Sequence, residues 1–255
     1  MALTLTNVEV RLGGRRIVEV RHLEVPSGQL ICVLGPNGAG KTTLMRAVSG
    51  LLRAQGKMRL NGEDLQALTP RARARLLAYL PQGHVAHWPL TVETAVRIGR
   101  TPHASSLSRP SPADEAAITR ALEDVDASHL RHRTITELSG GERARVMLAR
   151  ALAVEAPVLI ADEPVAALDP GHQLGMMALF KRLAREDGRT VILVLHDLTL
   201  ASRFADRVVI LNDGRVAAEG PPREALTAPV LKEVFRIETR RIVIDDAPIV
   251  VPWRG

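Results

Sequence analysis

The chain's mixed hydrophobic and polar pattern is broken by apolar runs at 29–34, 158–161 and 190–195, none of which alternates with polar residues. They are too short for helices, and a short unbroken run is what a strand covered on both faces presents, so they predict the centre of a parallel sheet. A helix-compatible stretch follows each run, and this strand-then-helix rhythm predicts a doubly wound α/β fold. Turn chemistry marks antiparallel ribbons beside that core: Asn61-Gly62 follows the run 57–60, and Asn212-Asp213-Gly214 separates 208–211 from 215–218.

The middle of the chain reads differently. Residues 101–112 are rich in Ser, Pro and His, and from there to Leu152 the patterning is helical without strand runs. We expect an inserted helical subdomain over 85–154 within a core of 1–84 and 155–255, the whole forming a single domain. Ser111-Pro112-Ala113-Asp114 has the order of a helix start: an N-cap hydroxyl, Pro at the first helical position and an acid in the first turn. The tail from Pro221 reads as a helix-and-strand extension.

Composition narrows the setting. A chain of 255 residues can bury a sizeable core. Its one cysteine, Cys32, excludes an internal disulfide framework and fits a reducing compartment. No apolar run approaches the roughly 18–20 residues that span a bilayer. A net charge of +6 favours anionic surfaces, yet the aromatics Phe180, Phe204, Phe235, Trp88, Trp253 and Tyr79 are scattered singly. No base-stacking platform is visible, and no nucleic-acid partner is expected.

The chemistry is concentrated in three places. Gly35, Pro36, Asn37, Gly38, Ala39, Gly40, Lys41 and Thr42 match G-x-x-x-x-G-K-[ST], with Thr43 next, between a buried strand and a helix start. Glycines let backbone amides turn toward phosphate oxygens, the helix adds its positive end, Lys41 reaches the β- and γ-phosphates and Thr42 ligates Mg²⁺. The strand 158–161 then ends in adjacent acids: Asp162 is placed for Mg²⁺ and Glu163 for polarising the attacking water. Finally, Leu138-Ser139-Gly140-Gly141-Glu142 precedes a helical run. Ser139 and Glu142 satisfy a capping box, and the two glycines present amides to an anion, so both a plain helix cap and a phosphate site fit this segment.

In carrying these motifs, the chain resembles a nucleotide-binding subunit of the ATP-binding cassette superfamily over nearly its whole length. Gln82 in Leu80-Pro81-Gln82 resembles the Q-loop, Ala167-Leu168-Asp169 the D-loop, and His196 the switch histidine. The resemblance implies a P-loop NTPase, with a mostly parallel sheet, an antiparallel β subdomain and an inserted helical subdomain. It also implies ATP with Mg²⁺ and a head-to-tail dimer in which Ser139, Gly140, Gly141 and Glu142 of one copy close over the phosphate loop of the other. In this scheme Gln82 senses Mg²⁺ and the permease, His196 holds the γ-phosphate and the water, and Asp169 belongs to the nucleotide-binding set. Local readings compete: Gln82 as a loop polar group, and His196 and Asp169 as helix caps. One departure stands out, because the stretch Val10-Arg11-Leu12-Gly13-Gly14 lacks the aromatic on which the family stacks adenine. Leu12 or Arg11 would cover the base instead, with weaker discrimination of ATP from GTP.

A cassette without membrane spans resembles the importers' arrangement, in which a separate permease and, indirectly, a substrate-binding protein complete the machine at the cytoplasmic face of the inner membrane. The segments 82–92 and 99–103 resemble cassettes that drive uptake of ferric siderophores, haem or vitamin B12. Trp88 and the neighbouring His84, His87 and His103 are then permease-contact candidates, with metal binding the competing reading. Exporters and ribosome- or DNA-linked ATPases of the same superfamily are the alternatives.

Overall fold

The computed structural model describes residues 2–83, 89–104, 111–166, 168–244 and 247–254. They gather into two compact units, 1–68 with 180–255, and 69–179. The first unit opens with strands β1 (Ala2–Leu12), β2 (Arg15–Pro26) and β3 (Leu30–Leu34), helix α1 (Lys41–Val48), and strands β4 (Gln55–Leu60) and β5 (Glu63–Asp64). The second holds α2 (Pro70–Leu76), β6 (Leu77–Leu80), α3 (Val92–Arg97), α4 (Pro112–Asp124), α5 (Gly140–Leu152), β7 (Val158–Asp162) and α6 (Pro170–Arg185), within which the division falls. The chain returns to the first unit as β8 (Thr190–Val194), α7 (Leu198–Phe204), β9 (Arg207–Asn212), β10 (Arg215–Gly220), α8 (Pro222–Ala225), α9 (Ala228–Phe235), β11 (Glu238–Ile244) and β12 (Ala247–Arg254).

In the first unit, β3 runs parallel to β8 and β9, with Cys32 opposite Leu193 on one side and Val208 on the other. Every residue of β3 and β8 is buried. That is the physical content of their unbroken apolar runs, because a central strand has no solvent face on which to place polar residues. Cys32 is fully enclosed there, and burial pushes its thiol well above the ordinary range. The turn 212–214 joins β9 to the antiparallel β10, and a separate antiparallel sheet runs in the order β2-β1-β4-β5. Leu3, Leu5, Val8 and Val10 of β1 supply its buried face. Both expected hairpin turns are present, with Asn61 and Gly62 and likewise Asp213 and Gly214 at positive φ. In the C-terminal extension, β12 is tied to α7 by Thr199 Oγ1 donating to Val250 O at 3.1 Å and Val250 N donating to Ser202 Oγ at 3.1 Å.

The second unit carries a parallel pair, β6 with β7, in register from Leu77↔Val158 to Leu80↔Ala161. Its helices α3, α4 and α5 bury Val92, Val96, Ile118, Leu122, Val146 and Leu148. Each such side chain contributes about 1.5–3 kcal/mol by leaving water. The expected start at Ser111 is realised as a capping box with Asp114. Arg100, 8% exposed, knits the unit together by pairing with Asp114 at 2.8 Å and Glu155 at 2.9 Å and donating to Ala153 O at 2.7 Å. Its guanidinium, with the Ser111 N–H and hydroxyl, holds the Asp114 carboxyl at about 2, below its ordinary 3.8. Among the described residues no helix is long and apolar enough to cross a membrane.

Candidate functional site

The phosphate loop belongs to the first unit. Gly35, Gly38 and Gly40 have φ of 151°, 81° and 93°, the left-handed region that side chains resist. Space is restricted as well: a Cβ on Gly35 would lie 2.2 Å from Leu211 O, and one on Gly40 would lie 2.9 Å from Val18 Cγ2. Gly40 is the N-cap of α1 and supplies no side-chain hydrogen bond to the first-turn amides. A helix end left in this way holds its partial positive charge for a ligand. Lys41, 6% exposed, folds back over the loop and donates from Nζ to Gly35 O at 2.7 Å and Pro36 O at 3.0 Å. The ammonium is thereby held against the loop's own carbonyls, beside the start of α1. His196 of the same unit is exposed just beyond β8, and the cap of α7 is Asp197, which accepts from Leu200 N at 2.8 Å. The capping reading of His196 therefore falls.

The acidic pair 162–163 and the segment 138–142 lie in the second unit. Asp162 closes β7 and is wholly buried. Tyr79 Oη donates to its Oδ2 at 3.3 Å, whereas its Oδ1 has no hydrogen-bond partner among the described residues. An incompletely satisfied buried carboxylate is unfavourable unless a cation meets it, and a hard divalent ion suits such an oxygen. Glu163 sits half-buried at φ 53°. This left-handed backbone costs a non-glycine residue on the order of 1–3 kcal/mol and aims the side chain away from the strand line. Gln82 Nε2, from the loop after β6, donates to Glu163 Oε2 at 2.8 Å. The parallel register of β6 and β7 produces this contact, because their C-terminal ends are level.

Ser139 caps α5: Glu142 N donates to Ser139 Oγ at 3.3 Å and Ser139 N to Glu142 Oε2 at 2.8 Å. The Ser139 N–H, and after it the hydroxyl, holds the Glu142 carboxyl below its ordinary value. Gly140 and Gly141 are different in kind from the glycines of the phosphate loop. Both lie in helical backbone, and a Cβ on Gly140 would touch nothing within 4 Å, one on Gly141 only Leu168 Cδ2 at 3.6 Å. Among the described residues nothing requires glycine at either place, and both leave the helix end bare.

The ABC transporter family model matches residues 18–166, a span that runs from before the phosphate loop to beyond the acidic pair. The chain belongs to the ABC transporter family. Among curated relatives, it is 41% identical over 92% of its length to a cobalamin import ATP-binding protein of Halobacterium salinarum, of which it spans 59%. A hemin import ATP-binding protein of Nocardia farcinica is 42% identical over 96% of the chain and 86% of that relative. For an iron(3+)-hydroxamate import ATP-binding protein of Bacillus subtilis, the identity is 38% over 96% of the chain and 91% of the relative. Among solved structures, a metal-chelate type ABC transporter in an inward-facing conformation superposes with a TM-score of 0.85 at 26% identity, covering 100% of this chain and 98% of that one. A dimeric bacterial ABC transporter cassette gives 0.77 at 27% identity, covering 87% and 99%.

In this ABC transporter chain the structure brings Gln82 to Glu163 within one unit, and Gly35 through Thr43 with His196 into the other. Asp169 precedes α6 and accepts from His172 N at 3.1 Å, so its capping reading holds, and the backbone and side chain of His172 lower its pKa. Ala167 of the D-loop, and His84, Val85, Ala86, His87 and Trp88 of the expected permease contact, lie outside the described residues. His103 bonds through Nε2 to Val154 O at 2.8 Å, and the described residues contain no cluster of three or more potential metal ligands. At the expected adenine stretch Arg11 is paired with Glu9 and Leu12 is 43% exposed.

Two participants escaped the reading of the sequence. Tyr79, the one tyrosine, resembles any strand aromatic until the register of β6 against β7 sets it beside Asp162. Gln173 braces the loop after β7 by donating to Val165 O at 3.2 Å and Leu168 O at 3.1 Å, and a helix-face glutamine gives no local sign of this.

Proposed function

We propose that this chain is the ATP-hydrolysing subunit of an importer for an iron complex (haem or a ferric siderophore) or cobalamin. It would work as a head-to-tail pair with a second copy, on a separate permease served by a substrate-binding protein, at the cytoplasmic face of the inner membrane. Family membership and the import roles named for the relatives support this reading. The observation that carries it is the uncapped, glycine-ringed start of α1 with Lys41 folded over it, an arrangement suited to a polyphosphate.

In the mechanism we propose, Lys41 exchanges its bonds to loop carbonyls for the β- and γ-phosphate oxygens, while the first-turn amides of α1 hold the rest of the chain of phosphates. Thr42, Asp162 and Gln82 would hold Mg²⁺, and the unpartnered Oδ1 of Asp162 fits such a cation. Bound magnesium would offset charge on the phosphates. Glu163 takes a proton from the attacking water, with Gln82 orienting its carboxylate, and His196 holds the γ-phosphate and that water. Ser139, Gly140, Gly141 and Glu142 of the second copy close the site, and Asp169 belongs to the nucleotide-binding set. Closure and reopening of the pair would move the permease between access states.

Glu163→Gln tests the central role. It should leave nucleotide binding intact and lower steady-state ATPase by about 10²–10⁴-fold, the usual contribution of a general base. Phosphate release at the wild-type rate would defeat the assignment. Uptake by the reconstituted permease, with haem, ferric siderophore and cobalamin compared in turn, identifies the cargo.

A further inference from the structure

The phosphate loop does not hold its shape alone. At its start, the position where a Gly35 Cβ would stand lies 2.2 Å from the carbonyl oxygen of Leu211, near the end of β9. At its other end Gly214 N donates to Ala39 O at 3.1 Å, and Gly214 Cα lies 3.6 Å from the position of a Gly40 Cβ. The tip of the β9–β10 hairpin thus touches the loop at both ends. The tip itself is wedged against β2: a Cβ on Gly214 would meet Ile17 O at 2.3 Å, and Glu19 N donates to Gly214 O at 2.7 Å. Outside this wedge Arg215 clasps Glu19 through Nη2 at 2.7 Å and Nε at 3.0 Å, with Arg16 also on Glu19 at 3.3 Å.

We propose that this hairpin tip is a mould for the phosphate loop, and that Gly214 is a positioning residue for nucleotide binding. The reason is geometric. A loop that turns its N–H groups inward must turn carbonyls outward, and an outward carbonyl close to packed backbone needs a donor. Gly214 N supplies that donor for Ala39, so the inward set of amides is present before any ligand arrives. Binding then avoids the entropy of ordering the loop, which is the benefit of preorganisation. Only glycine serves at 214, since φ is 77° and Ile17 O leaves no room for a side chain. The inference rests on the nucleotide reading above and adds to it a residue far from the motif in sequence.

The chain carries its own control. Gly62, in the β4–β5 turn, has φ 84° and follows Asn61 at φ 56°, much as Gly214 follows Asp213 at 45°, but a Cβ on Gly62 would meet nothing within 4 Å. Gly62→Ala and Gly214→Ala therefore share the backbone strain, and only the second disturbs the mould. Equilibrium binding of radiolabelled ATP with magnesium to the full chain, alongside ATPase titrations, separates them. Gly214→Ala should raise Kd and KM by about tenfold or more with kcat within about threefold, and Gly62→Ala should leave Kd within about twofold. Equal Kd shifts in the two variants, or a loss confined to kcat, would overturn the mould. If Gly214→Ala does not fold, Arg215→Ala releases the outer clasp alone. It should raise Kd by about two- to fourfold, and Arg215→Lys, which keeps the charge but not the two-nitrogen clasp, should restore only part of it; an unchanged Kd in Arg215→Ala would overturn the proposal. A wild-type chain that binds no ATP would refute the nucleotide reading itself, whereas a binding wild type with an unaffected Gly214→Ala refutes only the mould.

Discussion

Helices α1 and α5 both begin with glycines, and they do so for opposite reasons. At α1 the backbone itself demands them: Gly40 is left-handed at φ 93° and has Val18 and Ile17 against it. At α5 the backbone is helical, there is room for a methyl group, and Ser139 with Glu142 already caps the end. The first terminus is stripped of its cap by geometry, and the second keeps its cap yet stays bare on its outer side. Glycine required from within marks a shape, whereas glycine not required from within points to something that approaches from outside. Sequence alone does not separate the two cases, because both read as a glycine pattern before a helix.

The comparison can be broken in several ways, and removing the charge at α1 is the most severe. Lys41→Ala leaves the glycine-shaped loop in place and takes away the ammonium. ATPase should fall by about 10²–10³-fold, as when a preorganised electrostatic donor is lost, and undiminished turnover would show that the loop does not serve phosphate. Gly141→Asp attacks α5 from the outside only. An acid in a first turn favours the helix, so the melting temperature should hold or rise while ATPase drops by about 10²-fold through repulsion of phosphate; full activity would return Gly140 and Gly141 to a purely structural role. Ser139→Ala removes the cap and keeps the glycines. It should lower stability by about 0.5–2 kcal/mol in a denaturant titration, and a change near zero would mean that the box contributes nothing to this helix.

The smallest effect concerns a third capped helix, α4. Asp114 has its folded pKa lowered to about 2 from 3.8, so the unfolded chain binds the proton more readily between those values. Its contribution to stability is fully present above the unfolded value and fades as pH falls through the folded one. Acid titration of helix content should therefore show a loss between about pH 4 and pH 2 that Asp114→Asn flattens. A variant with the same acid limb as the wild type would remove Asp114 from the account.

The strands and the phosphate loop were legible because each rests on contiguous residues with a local physical cause. Apolar runs such as 190–195 have no solvent face to satisfy, and the spacing from Gly35 to Lys41 is set by the phosphates it would surround. The helix start at Ser111 and the capping box at Ser139 were legible for the same reason. What stayed hidden depends on partners distant in sequence. Tyr79 reaches Asp162 only through strand register, Gly214 reaches Ala39 only through the packing of one hairpin, and the left-handed turn at Glu163 leaves no trace in residue type. The stretch 10–14 was readable as a departure by its lack of an aromatic, and Leu12 within it is exposed.

Cys32, sealed in the middle of β3, has a practical consequence for anyone who labels this molecule. Its sulfur is out of reach of maleimide reagents in the native state, so the natural chain already serves as a silent background for thiol chemistry. A single cysteine introduced on the surface would carry a fluorophore or spin label without first engineering the native one away, and reactivity at Cys32 itself would report global opening of the sheet.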